Sequence, residues 1–335
     1  MRFILGVLLG VMLLPVKAQL IPSFGEERVG TTIGAALKIP LSARAAGLND
    51  GVVALANDAS VVVANPAGLF QTQSFEASFS AAQWLAGSRL IAASALYHVG
   101  SDDALAVNVA RLGIDPLRVT TEVQPYGTGE WFIVEHIHAG LSYAHRFTDQ
   151  FSAGITVVGV SERLGKATLQ GVLFDLGTLY YTGLARTRIA LAISNFGTPL
   201  KPRGTVPLYP HDSSSTLRSF APPTNFRFGV ATEVFQDSLQ RLTATVQFDH
   251  PADQAEQYVI GGEYARQLSV AMPFQIQVRA AYRINAPLTP WTAGVGLQIP
   301  LFTGWHIRID YSLLPTRHFG MLHRLSLLLQ QSPEE

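Results

Sequence analysis

FQIQVRAAYR (274–283), WTAGVGLQI (291–299) and WHIRIDYS (305–312) decide the fold, because each alternates strictly. Phe274, Ile276, Val278, Ala280 and Tyr282 share one side, with Gln275, Gln277, Arg279, Ala281 and Arg283 on the other. Trp291, Ala293, Val295, Leu297 and Ile299 oppose Thr292, Gly294, Gly296 and Gln298, and Trp305, Ile307, Ile309 and Tyr311 oppose His306, Arg308, Asp310 and Ser312. Period two is the strand period, since successive Cβ atoms point to opposite faces. A soluble sandwich also alternates, with its apolar face on a core. These segments run nearer ten residues than the five or six of soluble strands. Aromatics flank the apolar stripes, and the other face is Gly, Ser, Thr and Ala with little Lys, which suits a lumen facing a lipid-embedded wall.

The same pattern extends upstream to Ser74. Fourteen segments are expected, at 74–82, 89–98, 104–113, 134–147, 150–163, 168–182, 186–196, 224–234, 240–249, 256–266, 273–284, 290–300, 304–314 and 320–330. The fold class is therefore all-β, a 14-stranded antiparallel transmembrane barrel over 74–330 with a polar tail at 331–335. The longest connectors, 114–133 and 197–223, are the third and the seventh, so both lie on one side. Thr148-Asp149-Gln150 and Leu301-Phe302-Thr303 give tight links on the other side, matching short periplasmic turns and long outer loops.

Composition agrees. Of 335 residues, 14% are charged, mean hydropathy is +0.23, there are 29 glycines and no cysteine. Zero cysteines exclude a disulfide framework, a thiolate metal site and a cysteine nucleophile. Formal charge is zero with no basic run, so no nucleic-acid partner is expected. Met1-Arg2, the apolar run Phe3 to Leu14 and Val16-Lys17-Ala18 read as a signal peptide over 1–18 cut after Ala18, which sends the chain to the bacterial outer membrane, in contact with its lipid. No later stretch approaches 18 apolar residues, so helical spans are excluded.

Residues 19–73 precede the first strand and are rich in Val, Ala and Leu without a charge run. Ser42 is placed to cap a short helix over Ala43 to Leu48, ended by Asn49-Asp50-Gly51. Asn65 before Pro66 starts a second turn, from which Gly68 allows an exit with positive φ. The lumen of a fourteen-stranded barrel needs filling, so this segment is read as a helical and irregular hatch inside it.

Ala43-Arg44-Ala45-Ala46-Gly47-Leu48, Ala56-Asn57-Asp58-Ala59-Ser60 and Asn65-Pro66-Ala67-Gly68-Leu69, in that order, resemble the hatch of the FadL-like outer-membrane proteins. Leu173-Phe174-Asp175-Leu176-Gly177 and Ile193-Ser194-Asn195-Phe196-Gly197 look like phrases of its PorV/PorQ branch. The last strand departs from the pattern, ending Leu327-Leu328-Leu329-Gln330 without a terminal aromatic. The PorV/PorQ resemblance implies a non-enzymatic accessory of type IX secretion or cell-surface attachment, whose partners are secretion components or exported cargo with a C-terminal signal domain. The wider FadL resemblance implies the alternative, transport of long-chain fatty acids or other hydrophobic ligands, which leave sideways through a gap in the wall.

The hatch motif residues are Asp58, Ala59, Asn65, Pro66, Ala67, Gly68 and Leu69. Partner-binding candidates on the outer loops are Tyr126, Trp131 and Phe132, and in the Pro-rich seventh connector Pro207, Tyr209 and Pro210, where fixed φ lowers the entropy lost on ordering. His136 and His138 face one way but lack a third ligand, so neither metal nor cofactor is expected. His306, Arg308 and Asp310 read as a lumenal ion-pair ladder. No nucleophile elbow, Walker lysine or dinucleotide fingerprint occurs, and no enzyme is expected.

Overall fold

A computed structural model of the chain describes residues 26–72, 75–204, 218–268, 274–302 and 304–331. The expected leader over 1–18, the tail from 332 and the loop residues Pro207, Tyr209 and Pro210 lie outside the described residues. Fourteen strands close into one antiparallel barrel, each paired with its chain neighbours and the last with the first. They are β1 Phe75–Gln83, β2 Arg89–His98, β3 Asp103–Gly113, β4 Val134–Thr148, β5 Phe151–Leu164, β6 Ala167–Tyr181, β7 Arg188–Gly197, β8 Asn225–Gln236, β9 Gln240–Pro251, β10 Gln257–Gln267, β11 Gln275–Ile284, β12 Trp291–Phe302, β13 Trp305–Thr316 and β14 Gly320–Gln331. Closure runs from Phe75 opposite Gln331 to Ala82 opposite Arg324, so the β1–β14 seam leaves no free edge.

The apolar face of every strand points outward. Val107, Val278, Val295 and Ile260 are each about half exposed, whereas Glu76, Asn108, Arg279 and Asp310 on the opposite face are buried. Such an apolar outer belt around a polar interior needs lipid as its solvent. No described helix is long and apolar enough to cross a membrane. Connector 114–133 and the described parts of the connector between β7 and β8, 198–204 and 218–224, sit at one end, the loop end; the link at 149–150 and Gly304 sit at the other, the turn end.

One local expectation is corrected. Leu301 and Phe302 are not a link but the end of β12, reached through a register shift between Pro300 and Phe302. Within the third connector Leu117–Arg118 pairs with Trp131–Phe132, and Arg118 lies over the Trp131 ring at 5.6 Å.

Residues 31–72 thread the lumen from the loop end to the turn end. At the loop end the Ile33 N–H donates to the Ala221 carbonyl at 3.1 Å, and Lys38 pairs with Asp253 at 2.7 Å. Helix α1, Ala43–Gly47, follows, with the Ser42 hydroxyl accepting from the Ala45 N–H at 3.1 Å. Asn49 and Asp50 end it in the left-handed region, at φ 51° and 60°. At the turn end Gln71 accepts from Arg188 at 2.9 Å.

Candidate functional site

The inner segment is held by an apolar interlock and by a ring of charge. In the interlock, Asn65 accepts from the Ala67 N–H at 3.0 Å and starts the short 3-10 helix Pro66–Gln71, with Pro66 first. The Asn65 amide donates to the carbonyls of Val53 and of Thr178 in β6, both at 3.1 Å. Wall glycines make room: a Cβ on Gly177 would lie 2.0 Å from Asn65 Oδ1, and one on Gly154 2.7 Å from the Pro66 carbonyl carbon. Gly229 likewise admits Val53, and Gly294 admits Gly47. Gly68 corrects an expectation. It is not among the residues with positive φ; its missing side chain lets the backbone pass Ala56, whose carbonyl oxygen a Cβ would meet at 2.2 Å.

Ala59 and Leu69 pack with Val62, Leu96, Ala104, Ala106, Ala144 and Leu328, while Ala67 packs with Val53, Leu55, Leu179 and Ala190. Leu96 and Leu179 are lumenal positions of β2 and β6. The apolar inner faces of these two strands, which blur their alternation, are therefore the seats of the inner segment.

Asp58 belongs to the ring of charge. Its carboxylate accepts from Arg44 at 2.7 Å and from Arg308 at 2.6 Å. Arg44 donates through two nitrogens to Glu263, at 2.9 and 3.0 Å. Arg279 joins Glu263 at 2.9 Å to Asp310 at 2.6 Å, and Arg308 closes the circuit on Asp310 at 2.8 Å. Three guanidiniums and three carboxylates alternate, all at most 6% exposed at the side chain. Burial pushes the Asp58 carboxyl up, but Arg308 and Arg44 overcome it and hold it below the usual carboxylate range. Burial disfavours charged Arg44, yet Glu263 and Asp58 raise it above its ordinary value. Buried pairs gain little overall against desolvation, but losing one partner strands the rest. Arg308 and Asp310 are the expected ladder pair; Arg44, Glu263 and Arg279 were not expected in the site, and Arg44 and Asp58 come from the inner segment.

This layer divides the lumen. Toward the turn end lies a polar cavity of about 300 Å³ lined by Gln71, Glu76, Gln277, Gln298, His306 and Gln330. Toward the loop end lies a chamber of about 500 Å³, one flank apolar (Ala36, Ile39, Trp84, Leu85, Leu112, Leu288) and one charged (Asp50, Arg227, Asp249, Arg283). Those charges are paired: Arg227 with Asp50 at 3.1 Å and Arg283 with Asp249 at 2.7 Å. Burial raises the Asp50 carboxyl, and Arg227 and Arg283 partly restrain it. A narrower cavity of about 50 Å³ shares Ile39, Pro40, Asp50 and Arg227 with the chamber and reaches Asp175 and Asn195 in the wall. There the β6–β7 ladder slips between Phe174 and Leu176. Asn195, at φ 57°, donates its backbone N–H to Asp175 Oδ1 at 2.6 Å instead of to a carbonyl.

His136 and His138 meet edge to face with rings 5.4 Å apart, and among the described residues no group of three ligating side chains surrounds them or any other point. Tyr126 is 92% and Trp131 54% exposed, while Phe132 seats its ring where a Cβ on Gly165 would sit.

No protein-family model matches the sequence, and no match is found among curated proteins. Solved structures share the fold. The monoaromatic hydrocarbon channel CymD superposes with a TM-score of 0.58 at 13% identity, over 92% of this chain and 99% of its own. A Pseudomonas aeruginosa FadL homologue gives 0.53 at 10% identity, over 87% and 98%. The Pseudomonas putida toluene transporter TodX gives 0.52 at 11%, over 81% and 91%. At these identities the likeness is one of fold, a closed antiparallel barrel.

Proposed function

We propose that this chain is a bacterial outer-membrane channel for hydrophobic small molecules, with the loop end outside and residues 31–72 as its hatch. The observation that carries the reading is the divided lumen. An apolar-flanked chamber opens toward the long loops, while a buried six-charge ring and a glutamine-lined cavity bar the way to the turn end. A passive porin needs a continuous aqueous path, which the hatch interrupts. An apolar solute gains by entering the chamber and loses by crossing the ring. The slipped ladder at Asp175 and Asn195, beside the inner cavity, supports a sideways exit into lipid of the kind the FadL resemblance implies. The names of the three fold neighbours, two hydrocarbon transporters and a FadL homologue, agree with this reading.

Transport replaces the secretion-accessory role as the principal reading. The accessory role rests on Tyr126, Trp131 and Phe132 in an outer loop, whereas the divided lumen is built from residues throughout the chain. The test is uptake by bacteria lacking their own hydrophobic-solute channels. Producing this chain should raise entry of a labelled apolar solute such as toluene and leave entry of a small sugar unchanged. Sugar entry, or no gain for toluene, overturns the reading.

A further inference from the structure

The cavity on the turn side of the ring is closed off from the apolar chamber and has a chemistry of its own. It takes up about 300 Å³, the room of about ten waters. Its wall is a tier of amides on neighbouring strands. Gln275 of β11 is the register partner of Gln298 of β12, and Gln330 of β14 is that of His306 of β13. Gln71, the last residue of the Pro66–Gln71 turn, brings the hatch to the same cavity. These five side chains are partly exposed, so the cavity opens at the turn end.

Charge in this cavity is already answered. Arg44, Arg308 and Glu263 belong to the ring, and Glu76 accepts from the Ala59 N–H at 2.7 Å and from Gln330 at 3.0 Å. Arg241 stands 3.9 Å from both Glu233 and Glu263. An anion would meet Glu76 and Glu263, and a cation would meet three guanidiniums, so the balance favours a neutral ligand. The hydrogen-bonding groups, by contrast, are left with surplus donors. Arg241 Nε and Gln71 Nε2 are buried and find no acceptor among the described residues. Gln277 fills the Gln275 carbonyl at 2.9 Å, which leaves the Gln275 NH2 for the cavity. Gln330 has given its own NH2 to Glu76 and offers its carbonyl. A buried donor left unfilled is costly. Each hydroxyl carries two acceptor lone pairs and one donor, so several hydroxyls on a small frame absorb that surplus and return their protons to glutamine carbonyls.

We propose that the turn-end cavity binds a neutral polyol of monosaccharide size, held by Gln71, Arg241, Gln275, Gln298 and Gln330. This is a second ligand, separate from the apolar solute of the chamber, and the ring keeps the two apart. Gln71 ends the hatch and the other four residues stand on the wall, so an occupant ties hatch to wall.

The experiment is a saturation-transfer NMR titration of the full chain in lipid nanodiscs, blanked against empty nanodiscs, with glucose, glucuronate and maltotriose. Glucose should bind with a dissociation constant on the order of a few millimolar, as suits so small a ligand. Glucuronate keeps the ring and adds a negative charge; it should bind at least about fivefold more weakly. Maltotriose should bind as weakly as glucuronate, because the cavity has room for one sugar unit. Gln298→Leu should weaken glucose about fivefold, the worth of one hydrogen bond. Saturating glucose should slow hydrogen exchange over residues 66–71 of wild type. No binding of glucose, or undiminished binding by Gln298→Leu, overturns the site and leaves the transport reading standing. Glucuronate binding as tightly as glucose overturns the preference for a neutral ligand, and maltotriose binding as tightly overturns the enclosed free sugar. Unchanged exchange over residues 66–71 overturns the tie between hatch and wall. The wild-type comparisons need no variant, and Gln275→Leu serves if Gln298→Leu does not fold.

Discussion

Asn65 of the hatch and Gly177 of β6 stand so close that a Cβ on the glycine would lie 2.0 Å from Asn65 Oδ1. The contact joins the cap of the Pro66–Gln71 turn to the barrel wall, since the same Asn65 side chain also bonds Val53 and Thr178.

Gly177→Ala is therefore expected to unseat this turn without opening the barrel. Overpacking costs about 1–3 kcal/mol and loss of an N-cap about 1 kcal/mol more. Hydrogen exchange should show faster exchange over residues 52–72 and unchanged protection of the strands. Gly159→Ala is the control, because the nearest atom to its added Cβ, the Ala139 carbonyl oxygen, is 3.9 Å away. Equal behaviour of the two variants would rule out the interlock.

Asp58→Asn tests the ring. Removing one carboxylate leaves Arg44 and Arg308 facing each other in a buried site, at a cost of about 3–5 kcal/mol. Pairing the change with Arg308→Gln should cost less than the sum of the two single changes, because they share one bond. Thermal unfolding of the four proteins in the cycle measures the coupling, and additive effects would contradict a shared ring.

Strands were legible because a wall between lipid and lumen imposes period two on every segment; all fourteen begin and end within two residues of their expected ranges. The helix over Ala43–Gly47 was legible because Ser42 and Asn49-Asp50-Gly51 act locally. The site was less so. Arg44 meets Glu263 across 219 positions and Asp58 meets Arg308 across 250, and no local rule chooses among lumenal charges. Gly177 and Gly154 look like ordinary small lumenal residues until the hatch is seated on them. Gly68 lies in a phrase whose turn chemistry suggested a left-handed exit, whereas the close approach of Ala56 is what requires it.

Acid should loosen the hatch. Asp58 titrates below its ordinary value near 3.9 in the folded state, so its contribution is present in full above that value and is lost as pH falls from about 4 toward the folded one. Asp50 has the opposite sign: its carboxyl is raised by burial, so protonation relieves a cost as pH falls. Hydrogen exchange of residues 43–60 between pH 7 and pH 3 should show release below about pH 4 in wild type. Asp58→Asn should already be loosened at pH 7 and respond little. Release beginning well above pH 5 would implicate some other group.

Filling the chamber separates transport from folding. Ala36 lines it from the hatch side, near the loop end and away from the ring and the Asn65 interlock. Ala36→Trp places an indole in a space of about 500 Å³ against Trp84 and Leu288. The added ring takes volume from any apolar solute without removing a hydrogen bond or a charge pair, so thermal stability should stay within about 0.5 kcal/mol of wild type, as for other substitutions away from built contacts. Toluene uptake should fall several-fold, and the polar cavity at the turn end, which the solute does not enter, offers the matched control. Gln298→Leu there alters a cavity of about 300 Å³ without touching the chamber. It should leave uptake near wild type. If Gln298→Leu slowed toluene as much as Ala36→Trp did, the solute would be passing through the hatch to the turn end, and the wall beside Asp175 and Asn195 would not be its exit.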